Sequence, residues 1–125
     1  MRCDRLDKMT KGWFVGDFDP AALRTDACEV AIKYYRAGDH EPSHFHRIAT
    51  EITAIVSGRV RMSGVEWTAG DILTIEPGEA TDFLALTDVV TVVVKTPSAP
   101  DDKFVSPPPC SNSRDLTNGA RRRKD

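Results

Sequence analysis

The chain has 125 residues and a formal net charge of −2, which is one domain's worth of sequence. No window approaches the ~18 consecutive apolar residues of a membrane-spanning helix, so no membrane segment is expected. Residues 106–125 carry five basic and two acidic side chains, leaving a net charge of −5 on the residues before them, and an acidic body excludes nucleic acid as the main partner.

Met1 to Lys11 is charged and has no apolar core, so it does not read as a secretory signal, and the expected location is the cytoplasm. Gly12 to Phe18 is the first predicted strand. Asp19 then caps a predicted helical turn over Pro20 to Arg24, because Pro is tolerated in a first helical turn. From Gly12 to Lys95 the dominant period is two. Glu29 to Arg36 is a strand broken by Gly38-Asp39. Glu51 to Ser57 is closed by Gly58. Arg59–Met62 and Val65–Trp67 form a hairpin around Ser63-Gly64. Ile72–Ile75 follows the Gly70-Asp71 turn, and Pro77-Gly78 turns the chain again before Asp82–Leu86 and Val89–Lys95.

Many short strands with frequent turns predict an all-β sandwich or barrel spanning residues 1–105. Asp101 to Val105 is expected to lie against it. Residues 106–125, rich in Pro and Arg, read as a flexible tail, and the basic run Arg121 to Lys124 as its solvated end. Cys3, Cys28 and Cys110 are odd in number and far apart, so they read as plain thiols and not as a disulfide or zinc framework.

The segment from Gly38 to Gly58 concentrates the chemistry. His44 and His46 are two apart on an extended backbone, so their side chains share one face. Glu51 follows after a short turn, at the start of the next strand. Two neutral nitrogens and one anionic oxygen converging from adjacent strands suit Fe(II), Mn, Zn or Ni and leave coordination positions open. By phase, Tyr35, Thr53, Ile55, Val60, Met62, Thr74, Thr81 and Phe83 point inward, mostly as packing. Tyr35 and Thr81 offer hydroxyls to a ligand, and Arg47 offers a guanidinium to an anionic group. His40 reads as an exposed loop residue, and Trp13 and Trp67 as core or interface anchors.

This segment resembles the first motif of the cupin superfamily, G-x5-H-x-H-x(3,4)-E-x6-G, and matches it at Gly38, His44, His46, Glu51 and Gly58. The second motif, G-x5-P-x-G-x2-H, is matched only at Gly70 and Gly78. Glu76 stands at its proline, with Pro77 beside it, and Thr81 stands where the resemblance implies a fourth ligand histidine. Asp82 would reach the interior only through a bulge after Gly78. The resemblance implies a single small jelly-roll β-barrel and a homodimer, with Gly12 to Phe18 as the strand expected to cover an exposed edge.

Three functions fit these residues. The first is a metal-dependent protein acting on a small polar metabolite, the divalent ion held by His44, His46 and Glu51. The second is a metal-free sugar-nucleotide isomerase or epimerase, with His44 or His46 as base, Glu51 orienting an imidazole and Arg47 holding a phosphate. The third is a non-enzymatic module that binds a small molecule.

Overall fold

Alternation sends every second side chain of the strands toward one shared interior. The computed structural model describes residues 1–106. A single 3-10 turn at Leu6–Lys8 precedes β1 (Trp13–Gly16), β2 (Leu23–Arg24), β3 (Glu29–Tyr35), β4 (His40–His46), β5 (Thr50–Ser57) and β6 (Arg59–Met62). β7 (Val65–Thr68), β8 (Ile72–Ile75), β9 (Thr81–Ala85), β10 (Val89–Thr96) and β11 (Lys103–Val105) follow. They make two facing sheets, one ordered β2-β1-β3-β10-β5-β8 and the other β11-β4-β9-β6-β7. β10, a run of valines, is the spine of the larger sheet. It pairs antiparallel with β3 on one side and β5 on the other.

The interior divides along its length. Ile55, Val60, Met62, Ile75, Phe83, Ala85 and Val89 fill one end as a dry core, with Tyr35, Trp67 and Leu73 packed against it. Polar and charged side chains occupy the other end, which is open. Gly58 closes the turn between β5 and β6 at the packed end. Its φ is +91°, and a Cβ there would collide with the carbonyl oxygen of Asp88, so only glycine fits.

Several expectations are corrected. The helical turn over Pro20 to Arg24 does not form. Ala22 donates its N–H to the Phe14 carbonyl at 2.7 Å and Thr25 donates to Gly16 at 3.1 Å. Those donors extend a parallel pairing of β2 with β1 in place of a helical turn. The N-terminal strand is shorter than expected, and β1 pairs with β3 and β2 of its own chain. His40 opens β4 and is not in a loop, although it is exposed. Thr74 faces outward on β8, opposite Ile52. Ser106, expected in the tail, is buried and donates its N–H to the Ser43 carbonyl at 2.9 Å. The rest of the expected tail lies outside the described residues.

Candidate metal centre

The turn between β4 and β5 places the site. Asp102 is 5% exposed, and its carboxylate accepts three successive backbone N–H groups of that turn: Arg47 at 3.0 Å, Ile48 at 3.1 Å and Ala49 at 2.9 Å. From the other side, Gly78 donates its N–H to the His46 carbonyl at 2.6 Å. The end of β4 and the start of β5 are thereby fixed relative to each other.

On this frame His44, His46 and Glu51 converge. One ligand atom from each lies within 4.8 Å of the other two. The imidazoles are 8% and 4% exposed, with their rings edge to face at 5.5 Å. His44 Nδ1 is 3.0 Å from the Pro42 carbonyl oxygen. Nδ1 therefore carries the proton and donates it, which leaves a lone pair on Nε2. His46 Nδ1 lies 3.9 Å from Glu51 Oε1, and its buried Nε2 has no hydrogen-bond partner among the described residues. Glu51 Oε2 accepts a hydrogen bond from Thr53 Oγ1 at 2.9 Å.

Burial lowers the pKa of His46 to about 3, helped by the charge of Lys95 and opposed by Asp102. His46 is thus neutral near pH 7, and its contact with Glu51 is not an ion pair. A buried nitrogen left without a partner is costly. Together with a carboxylate and a second imidazole at ligand distance, it is what a divalent ion would satisfy.

A bulge explains a site residue that the sequence hides. β4 pairs with β9 through Glu41 opposite Phe83 and His44 opposite Thr81, with the register shifting by one between them. The extra residue in β4 puts Glu41 on the same face as the two histidines. The Tyr35 hydroxyl donates to Glu41 Oε2 at 2.8 Å, and Lys103 Nζ lies 3.6 Å from Oε1. Burial works against the charge of Glu41, but the Tyr35 hydrogen bond and the Lys103 charge outweigh it and hold the carboxyl below its usual range. Tyr35 is pushed the other way, chiefly by burial and then by the Glu41 charge, so it stays protonated.

The open end is a cavity of about 410 Å³, lined by the cluster and by Tyr35, Glu41, Lys33, Lys95 and Trp13. Thr81 lines it too, but its hydroxyl donates to the Asp82 carbonyl and accepts from Ser63 Oγ, both at 2.9 Å. Arg47 lies elsewhere. It is exposed, with its guanidinium 4.8 Å from the centre of the Phe104 ring. The Asp82 side chain accepts the Ser63 N–H at 2.8 Å at the β6–β7 turn, and the bulge that would have turned it inward lies in β4 instead. Sequence reasoning missed Glu41, Lys33, Lys95 and Asp102. Lys33 and Lys95 were findable, since they share phase with Tyr35 and with Val93. Glu41 was not, because a bulge leaves no mark in the alternation.

No family profile and no curated protein sequence matches the chain. Solved structures do match its fold. A cupin protein from Bacteroides fragilis is 25% identical over 61% of this chain and 70% of its own, with a TM-score of 0.51. An uncharacterized protein with a double-stranded β-helix domain from Klebsiella pneumoniae is 23% identical over 62% of this chain and 69% of its own, with a TM-score of 0.57. The DMSP lyase DddQ from Ruegeria pomeroyi is 18% identical over 79% of this chain, with a TM-score of 0.64, and the match spans 52% of that enzyme.

Proposed function

The chain has the fold of the cupin superfamily, and from that premise we propose that it holds a divalent transition metal (Fe, Mn, Zn or Ni) through His44, His46 and Glu51 and acts on a small polar metabolite. The observation that carries this reading is the unpartnered, buried Nε2 of His46 within a three-residue donor set spanning 4.8 Å. Bound there, the ion supplies a Lewis acid with open positions for a substrate oxygen.

The chain's own residues prepare that place. The Pro42 carbonyl fixes the tautomer of His44, and Thr53 orients Glu51. Tyr35 holds its proton toward Glu41 Oε2, and the ionised Glu41 is a proton acceptor for a substrate hydroxyl in the cavity. Thr81 leaves room beside His44, where a bulkier side chain would narrow the approach.

The sugar-nucleotide reading is disfavoured by the position of Arg47, its phosphate contact, outside the cavity. The reading as a binding module shares the same site and differs only in turnover.

A homodimer is part of this proposal, but through a face and not through β1. Ile32, Tyr34, Ile52, Ile72, Val92 and Val94 all point outward from the larger sheet, and Tyr34 and Ile72 are each 69% exposed. A continuous apolar face of this kind is what a second copy covers.

Elemental analysis of protein purified without added metal, followed by titration with each of the four ions, tests the central reading. About one equivalent retained or tightly bound supports it. No tight binding of any of them refutes it.

A further inference from the structure

The carboxylates turned into the cavity already have donors. Glu29 accepts from Ser98 Oγ at 2.8 Å, Glu41 from Tyr35 at 2.8 Å and Glu51 from Thr53 at 2.9 Å. Asp102 is occupied by the β4–β5 turn. The ammonium groups of Lys33 and Lys95 differ. Among the described residues neither makes a hydrogen bond or a close ion pair, although the charge of Glu41 acts on Lys33 and those of Glu51 and Glu29 act on Lys95, and both rest on one indole. Lys33 Nζ is 5.2 Å and Lys95 Nζ 4.8 Å from the centre of the Trp13 ring. The indole face attracts both cations but supplies no acceptor.

The backbone explains how they meet. Trp13 on β1 pairs opposite Ala31, Lys33 is two residues further along β3, and Lys95 of β10 is opposite Glu29. All three line the same cavity as the histidines. Lys95 is also directly opposite Glu51 on the β5 side. The cationic end and the ligand cluster thus belong to one cavity.

We propose that Lys33, Lys95 and the face of Trp13 form an anion-binding end of this cavity, and that its ligand is a short hydroxy- or keto-acid. The carboxylate sits at the two ammoniums, the carbon chain lies against Trp13, and the hydroxyl or carbonyl oxygen reaches His44, His46 and Glu51. The assignment of that second oxygen rests on the metal reading, whereas the carboxylate contact does not. The oxyanion gives the two ammoniums hydrogen-bond acceptors that the cavity carboxylates, bonded to Ser98, Tyr35 and Thr53, do not supply directly, and an ammonium binds an oxyanion as a point charge.

The test is binding of lactate and pyruvate, set against lactamide (the neutral amide of lactate) and inorganic phosphate. It is run on metal-loaded and chelator-treated protein, by calorimetry and by NMR of the lysine ε-methylene groups. Lactate or pyruvate shifts the Lys33 and Lys95 signals and binds at least about tenfold more tightly than lactamide. The double variant Lys33→Gln/Lys95→Gln loses at least about tenfold in acid affinity, and Lys33→Arg/Lys95→Arg retains most of it. Acid-induced lysine shifts in protein that binds no metal uphold the anion site and refute only the metal reading. The anion site is refuted by equal binding of lactamide, by undiminished binding to a folded glutamine variant, or by wild-type lysine signals that no acid moves. Binding of phosphate alone refutes the organic-acid assignment. Should the glutamine variant not fold, the wild-type lysine shifts decide.

Discussion

The carboxylate of Asp102 accepts the backbone N–H of Ala49 at 2.9 Å, and with the N–H groups of Arg47 and Ile48 this pins the turn that joins His46 to Glu51. Asp102 lies just before β11, far along the sequence from the turn it holds. It is a positioning residue: it touches no ligand atom, yet it sets the spacing between two of them.

Replacing Asp102 with Ala therefore acts on both stability and metal affinity. Three backbone donors lose a charged acceptor, and Ala49 is buried, so unfolding free energy falls by roughly 3 kcal/mol. Metal affinity of the folded fraction falls by about 10- to 100-fold, as for other losses behind a metal ligand. Denaturant titration and metal titration on the same variant measure the two effects.

Substituting a ligand itself gives the opposite balance. Glu51→Gln keeps the shape and the contact with Thr53 but removes the anionic oxygen. Metal affinity falls by more than about a hundredfold, while the melting curve of the metal-free protein shifts little. An unchanged affinity would take Glu51 out of the ligand set.

Thr81 offers a gain-of-function test. It faces His44 directly across β4 and β9 and borders the cavity. Thr81→His adds an imidazole where the cupin pattern has one, and metal affinity rises by at least about tenfold. Calorimetry on the variant checks this.

Acid stability follows from His46. Its pKa is lowered from 6.5 to about 3 in the folded chain, mainly by burial. Between those values the unfolded chain binds a proton that the folded chain refuses. Metal-free protein therefore loses stability as pH falls from about 6.5 toward 3, and this contribution is constant above that window. His46→Gln flattens this part of the curve, which denaturation at a series of pH values detects.

Light scattering after size exclusion checks the homodimer. The wild type elutes at twice the chain mass, and Ile72→Asp combined with Val92→Asp, which charges the outer face of the larger sheet, elutes as a monomer. A wild-type monomer contradicts the proposed interface.

The barrel and its ligand cluster were legible because both rest on period two. Alternation fixed the strands from Glu29 to Lys95 and put His44 and His46 on one face. Glycine and proline turns set most of the boundaries. The helical turn at Pro20 failed because local propensity yielded to the donors that β1 accepts from Ala22 and Thr25. Glu41 stayed hidden behind a bulge. Asp102 stayed hidden because nothing local to residues 101–105 announces a contact with residues 47–49. Arg47 follows His46 directly in sequence, which suggests a place in the cavity, but it falls just past the end of β4 and is exposed.

The most direct test of the metal centre is anomalous diffraction from crystals soaked with each of the four ions. One strong peak is expected, about 2.0–2.2 Å from a nitrogen of His44, a nitrogen of His46 and an oxygen of Glu51 together. A peak away from those three atoms, or none with any of the ions, would contradict the metal reading.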